Sequence, residues 1–379
     1  MKRLLWRWIA VALRRFAGRR RGEPQAQEGP GSEAPRLLVI RVDERLGNLI
    51  LTAPLVSALR AAYPDARLGA LVAEKKAAIW HRLADLDELL TFEKRWLFRA
   101  PRRLFRLLRQ LRAQRFDVVI DASHAHAFSA THMLLAAACD APMVVAHRRG
   151  PDCGIVTHAV PDPGGYEVAR KLSLLAPLGI GASSARPLFP GGPRWPSGRQ
   201  LDSNGRRTGA FHLLVHAGGR KRDHRFPLAH YALLLRRLQA RFGPELLFEF
   251  LWGPGEESLA QELQRELGSG TLAPPTDVEQ MAERLAHADG LLCGDTGPMH
   301  LAVAVGTPTC ALFVRSDARR WGPSFEPHLA LSPTPFAERC RMVSLWMEKR
   351  FRACYTHHDR RETDDRGSRP IAATPAPTP

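Results

Sequence analysis

No two cysteines in this 379-residue chain stand in a C-x-x-C pair. The six present, Cys139, Cys153, Cys293, Cys310, Cys340 and Cys354, are scattered, so neither a zinc ribbon nor a dense disulfide framework is indicated and a reducing compartment fits best. No G-x-G-x-x-G follows the first candidate strand and no P-loop occurs anywhere, which leaves a nicotinamide-dependent dehydrogenase and a P-loop NTPase unsupported. A run of about 20 apolar residues, the length of a membrane-spanning helix, is also missing. Acidic residues are scarce, 38 against 55 Lys and Arg, for a formal net charge of +17. That imbalance implies a polyanionic partner: nucleic acid, anionic lipid or a phosphorylated glycolipid. Nucleic acid lacks its second sign, because no basic stripe is interleaved with stacking aromatics and no known module occurs.

What is present is globular. Apolar residues make up 45% and charged residues 25%, and the length suits two domains of roughly 150 residues each. Residues 1–35 form a basic arm and linker: Leu5, Trp8, Ile9, Ala12 and Phe16 gather on one helical face and Arg3, Arg7 and Arg14 fall opposite. This is the pattern of a helix lying on an anionic membrane surface through residues 1–21. From Arg36 onward, short β-branched runs alternate with helical stretches, which is α/β grammar. Strands are expected at 36–42, 66–72, 117–123 and 143–148, with helices near 49–62, 100–114 and 165–177. A second series has strands at 211–217, 246–253, 290–293 and 309–314, with helices near 228–241, 256–267, 277–287 and 298–305. The expected order is an N-terminal Rossmann-like domain at 36–180, a linker at 181–208, a C-terminal one at 209–330, a helical segment at 331–358 and a disordered tail at 359–379. In such sheets ligands bind beyond the carboxyl ends of the strands, so the chemistry belongs in the loops there.

Two loops stand out. His216-Ala-Gly-Gly-Arg-Lys-Arg222 follows a strand and precedes a helix. The bare backbone of Gly218 and Gly219 can approach a diphosphate while Arg220, Lys221, Arg222 and Arg225 neutralise it; a basic surface loop is the alternative. Gly294-Asp-Thr-Gly-Pro-Met-His300 leads from a strand into Leu301-Ala-Val-Ala-Val. Pro298 suits a first helical turn, and Thr296, the free N–H groups of that turn and His300 make an anion site on the helix dipole.

At these residues the chain resembles glycosyltransferase family 9, the lipopolysaccharide heptosyltransferases. The resemblance runs over about residues 36–330 through Leu37-Leu-Val-Ile-Arg-Val-Asp-Glu-Arg-Leu-Gly47, Leu51-Thr-Ala-Pro54, Val215-His-Ala-Gly-Gly219, Trp252-Gly-Pro-Gly-Glu-Glu257, Asp295-Thr-Gly-Pro-Met-His300, Gly306-Thr-Pro308 and Trp321-Gly-Pro323. It implies a GT-B fold, two Rossmann-like domains facing across a cleft, and an inverting, metal-independent transfer from ADP-heptose to a Kdo- or heptose-bearing acceptor. By the same resemblance, Gly218, Gly219, Glu257 and the segment from Asp295 through Thr296 and Gly297 to His300 contact the nucleotide sugar; Arg220 and Arg225 are counted with them for the charge of the glycine loop. No cofactor and no metal beyond that donor are implied. The enzyme would work in the cytoplasm, peripheral to the inner face of a bacterial inner membrane.

Inverting transfer needs a base for the acceptor proton, a pocket that aligns the acceptor, and positive charge for the departing diphosphate. The family pattern has Gly-Asp in the first loop, the Asp being the proposed base. Here the dipeptide is Gly47-Asn48, and an amide accepts no proton at neutral pH. Asp43 in the same loop takes that role in this reading, with Asn48 positioning the acceptor. A family lysine is likewise replaced, with His224 at its place beside Arg225. The alternative is a nucleotide-sugar-binding pseudoenzyme or assembly partner without a working base. His124, His126 and His132 suggest acceptor contact by family position, with no convincing metal-ligand spacing among them. Arg99 to Arg115 reads as a basic amphipathic helix, either a solvated outer helix or a contact surface. Cys354 with His357 and His358 is a thinner signal.

Overall fold

The computed structural model describes residues 34–149, 154–181 and 210–355. The basic arm, the tail of 359–379, Cys153, His357, His358 and nearly all of the expected linker lie outside the described residues. No helix among the described residues is long and apolar enough to cross a membrane.

The first half runs β1 (Arg36–Arg41), α1 (Leu46–Ile50), α2 (Ala53–Ala62), β2 (Arg67–Ala73), α3 (Ala77–Leu83), β3 (Glu88–Phe92), α4 (Trp96–Arg99), α5 (Pro101–Ala113), β4 (Val118–Asp121), α6 (Ala130–Cys139), β5 (Met143–His147), β6 (His158–Val160) and α7 (Glu167–Leu172). The second runs β7 (Phe211–His216), α8 (Leu228–Phe242), β8 (Leu246–Phe250), α9 (Glu257–Leu267), β9 (Thr271–Leu272), α10 (Val278–His287), β10 (Gly290–Gly294), α11 (Gly297–Ala304), β11 (Thr309–Leu312), α12 (Ala318–Trp321), β12 (Leu329–Leu331) and α13 (Phe336–Tyr355). Each half holds one parallel sheet, ordered β3-β2-β1-β4-β5-β6 and β12-β11-β10-β7-β8-β9. The strand series switches direction between β1 and β4 and between β7 and β10, the positions where doubly wound sheets open a crevice.

Composition explains the layering. β1 reads Arg-Leu-Leu-Val-Ile-Arg, with every residue after Arg36 buried, as a strand covered by helices on both faces requires. Helices α5 and α6 cover one face of the first sheet through Leu107, Leu111, Met133 and Leu135. The C-terminal helix α13 belongs to the second half, where Val343, Trp346 and Met347 pack with Phe211 and Tyr231. The helix expected at 49–62 divides in two. Thr52 is the N-cap of α2 and Pro54 sits in its first turn, where a missing N–H is harmless but through which a continuous helix could not hydrogen-bond.

The halves touch. α1 packs along α11, and Leu49 and Ile50 share one apolar cluster with Met299 and Leu301. Both halves also use the same clasp at the crevice strands. Asp117 donates its N–H to Arg36 O at 2.9 Å and accepts the Arg36 N–H on Oδ2 at 2.7 Å. Asp289 repeats this against His212 at 2.9 and 2.7 Å. Asp289 is buried, so Asp289→Ala leaves the His212 N–H without its acceptor. The substitution is expected to cost about 1–3 kcal/mol, read as a lower denaturant midpoint at unchanged slope.

Candidate active site

The loop after β1 is organised around Asp43. Its Oδ1 accepts the Arg45 N–H at 2.8 Å, and its Oδ2 accepts from Asn48 Nδ2 at 2.7 Å. Arg41 Nη2 lies 3.5 Å from the same oxygen and His124 Nε2 3.8 Å away. Burial opposes ionisation of Asp43, but the Arg41 charge and the bonds from Arg45 and Asn48 outweigh it, and the carboxyl is held below its ordinary range. Asn48 is buried, so the amide orients Asp43 instead of standing beside it as an independent group.

Behind Asp43 lies a buried ionic chain. Arg41 donates to Ala122 O at 2.7 Å and to His124 Nε2 at 3.0 Å. His124 therefore carries its proton on Nδ1, which lies 3.0 Å from Glu167 Oε1. Burial, against the pull of Glu167, drives the His124 pKa down to about 4, so the ring is neutral. Glu167, 1% exposed, also meets Lys171 Nζ at 2.9 Å. The same carboxylate receives Arg320 from the other half, Nε at 2.9 Å. Burial works against Glu167 as an anion, and the bond from His124 and the charge of Lys171 more than reverse this, holding it well below the usual carboxylate range. Arg149 pairs with buried Asp121 and donates to His124 O.

On the facing wall, the glycine loop and the start of α11 come together. Glu256 Oε1 accepts the Gly219 N–H at 2.7 Å, Oε2 accepts the Gly253 N–H at 3.1 Å, and His216 Nε2 lies 3.2 Å from Oε2. Arg225 Nε donates to Gly219 O at 2.6 Å. A Cβ on Gly218 would fall 2.1 Å from Glu256 Oε2, so only glycine admits this carboxylate. Burial raises the Glu256 pKa, but His216 and the two backbone N–H groups lower it further, to about 2. Thr296 Oγ1 lies 3.5 Å from His216 Nδ1, and Thr296 is the N-cap of α11 without its side chain capping that helix. A Cβ on Gly219 would sit 3.4 Å from Thr296 Cγ2, which measures how closely the two loops approach.

The two walls meet at Gly47 and His300. A Cβ on Gly47 would stand 2.3 Å from His300 Cδ2, so the absence of a side chain there lets the first loop lie on the histidine ring. His300 is buried, and that burial lowers its pKa against the pull of Asp295 and Glu167. Asp43, Asn48, Gly218, Gly219, Arg225, Asp295, Thr296, Gly297 and His300 thus line one region.

Arg220 follows Gly219 in the same loop and is exposed. Glu257 is exposed too, and its carboxylate accepts from Gln261 at 3.2 Å on the outer face of α9. The acid on the glycine loop is Glu256. The physical reason lies in the helix start: Glu256 is the N-cap, outside helical φ/ψ, and reaches back to the loop, whereas the first helical residue faces outward. The sequence signal was the Gly253-Pro-Gly turn, which places the N-cap one residue earlier. Arg41, His216, Glu167, Lys171 and Arg320 were also not singled out. The histidines divide: His124 joins the ionic chain, with the His126 ring 5.4 Å from it. His132 instead bonds Ser129 Oγ at 2.7 Å.

Two parallel Rossmann-like sheets, with an acid-bearing loop on one and a glycine loop beside a helix start on the other, define a glycosyltransferase of the GT-B architecture. Residues 104–343 match the family model described as glycosyltransferase family 9 (heptosyltransferase), and the chain belongs to that family. Lipopolysaccharide heptosyltransferase 3 of Escherichia coli is 25% identical over 289 residues, 73% of this chain and 83% of that protein. Among solved structures, E. coli heptosyltransferase WaaC with ADP-2-deoxy-2-fluoro heptose superposes with TM-score 0.63 at 19% identity, covering 83% of this chain and 99% of that one. A family 9 glycosyl transferase from Veillonella parvula gives TM-score 0.65 at 18% identity, covering 84% and 92%.

Two predictions follow from this geometry. Gly47→Ala is expected to force the halves apart at His300, seen as a larger radius of gyration by small-angle scattering, and a second change, His300→Ala, should restore the compact form. A wild-type radius in the single variant would show that the contact is not limiting. For Glu256, a folded pKa of about 2 against 4.5 unfolded means stability present above the unfolded value and lost as pH falls toward 2. Discounted for partial solvent contact, Glu256→Gln should cost about 2 kcal/mol at neutral pH. The difference from wild type should shrink on acidification below about pH 4.

Proposed function

We propose that this glycosyltransferase moves heptose, or a related sugar, from ADP-heptose to a phosphorylated acceptor of the lipopolysaccharide inner-core type, with inversion. One observation carries the reading: Gly47, in the loop that holds Asp43, stands against His300 in the opening turn of α11, and Thr296 of that same turn stands against Gly219. The names of its relatives support the choice of substrates, since they include a lipopolysaccharide heptosyltransferase and a heptosyltransferase bound to an ADP-heptose analogue.

In this reading Asp43 takes the proton of the acceptor hydroxyl as that oxygen attacks the anomeric carbon. The C1–O bond to the diphosphate breaks on the opposite face, and ADP leaves with the electron pair. Asn48 and Arg41 hold the base in its anionic form. The backbone of Gly218 and Gly219, the Arg225 guanidinium and the N-terminus of α11 stabilise the charge that develops on the departing phosphate. Glu256 fixes the glycine loop and so sets where the diphosphate lies. Thr296 and His300 take hydroxyl or phosphate oxygens. The reading uses no metal ion. The reaction would take place on the cytoplasmic side of the inner membrane, with residues 1–21 against anionic lipid.

The test is ADP release from ADP-heptose in the presence of a truncated core acceptor. Asp43→Asn should lower kcat about 10²–10⁴-fold, the usual contribution of a positioned base. Retention of wild-type kcat would remove Asp43 from the mechanism. Because the Asp43 pKa is depressed, wild-type activity should show no acid limb from this group above about pH 5. Asn48→Asp places a second carboxylate within 2.7 Å and should move the acid limb of kcat/KM upward by about one unit or more, as paired carboxylates do.

A further inference from the structure

The α4–α5 face is uncovered. Phe98 is 88% and Phe105 62% exposed, the two most exposed large apolar side chains among the described residues. Around them lie exposed Arg99, Arg102, Arg103, Arg106 and Arg109, and no carboxylate occurs between Lys94 and Phe116. Arg112 does reach an acid, Asp140 at 2.9 Å. Arg109 lies over the Phe105 ring at 5.9 Å and Arg103 over Trp96 at the same distance. Among the described residues, Arg99, Arg102 and Arg106 form no ion pair.

The underside of this unit is fixed. Leu107 and Leu111 are buried, and the Trp96 ring meets Phe92 edge-on at 6.0 Å. A merely solvated helix carries charges of both signs and keeps phenylalanine inward. Here one sign of charge surrounds two outward rings, which suits an extended anionic sheet with an apolar interior. β3 delivers the chain to α4 at the carboxyl edge of the first sheet, the edge that also carries the Asp43 loop.

We infer that the α4–α5 face docks on an anionic lipid bilayer, Phe98 and Phe105 entering the boundary between headgroups and acyl chains while the surrounding arginines engage lipid phosphates. This face holds the edge that carries the Asp43 loop against the surface where a lipid-linked acceptor would lie. It deepens the acceptor reading given above, but its test requires no sugar transfer, so the two fail separately.

The full-length protein is mixed with vesicles of phosphatidylcholine containing about one third phosphatidylglycerol, a surface potential that basic segments sense. Sedimentation should show salt-sensitive binding. Phe98→Ser with Phe105→Ser should lower the partition coefficient by roughly tenfold or more, and Arg102→Glu with Arg106→Glu by a comparable factor. Backbone amides of 96–109 should exchange more slowly when vesicles are present. Far-UV circular dichroism and the thermal midpoint should match wild type in both variants, which shows that they fold. Unchanged partitioning and unchanged exchange at 96–109 would overturn the inference, as would loss of a dimer or of DNA binding in the variants while vesicle binding persists.

Discussion

A carboxylate in a protein interior must be compensated, and Glu167 is the group on which the arrangement of this site depends. Removing such an ion from water costs several kcal/mol unless partners satisfy it. Here the partners are His124, Lys171 and Arg320. Arg320 comes from the second half, so the same carboxylate that fixes His124 also joins the two sheets. His124 in turn receives Arg41, and Arg41 faces Asp43. The orientation of the acidic loop and the approach of the facing domain are therefore coupled through one buried charge. Lys171, whose pKa burial lowers to about 7 despite the pull of Glu167, sits where a change in that coupling would alter its protonation.

The amide at position 48 makes sense within this chain of charges. Asp43 already faces Arg41, and its second oxygen is 2.7 Å from the Asn48 nitrogen. A carboxylate at that distance would share a proton with Asp43 or repel it; an amide donates to it instead. The buried environment thus favours one ionised acid with a neutral donor beside it. What looked in the sequence like a missing base is, in three dimensions, a hydrogen-bond donor that keeps a neighbouring acid ionised.

Much of the fold could be read from local pattern because the central strands are buried on both faces and so form uninterrupted apolar runs. β1, β4, β7 and β10 stand close to their expected bounds. The outer strands β6, β9 and β12 did not stand out, since strands of two or three residues carry no periodicity; β3, partly exposed along its length, did not stand out either. Helix α6, with Met133, Leu135, Ala136, Ala137 and Ala138 all buried, has no polar stripe to mark it. Site residues divided in a similar way. Gly218, Thr296 and His300 are legible because glycine and helix-start chemistry are local. Glu167 and Arg320, 153 positions apart, meet only because two sheets face each other. Glu256 was displaced by one residue because the side-chain direction changes sharply between an N-cap and the first helical residue.

The two walls differ in electrostatic character, and that difference supports the proposed placement of the substrates. On the first wall every named charge is matched internally: Asp43 and Glu167 face Arg41, Lys171 and Arg320, and Asp121 faces Arg149. Such a surface offers hydroxyl-directed hydrogen bonds and a base but little net attraction for phosphate. On the second wall, Glu256 is absorbed by His216 and two backbone N–H groups. Arg225, whose Nη2 also lies 3.7 Å from Glu256 Oε1, and the uncapped start of α11 stand beside two residues without side chains. An anion placed there meets a guanidinium and a helix dipole. A diphosphate on the first wall would have to break an ion pair to be held. The proposed direction of transfer, from a donor on the second sheet to an acceptor hydroxyl at Asp43, is the one that leaves every buried pair intact.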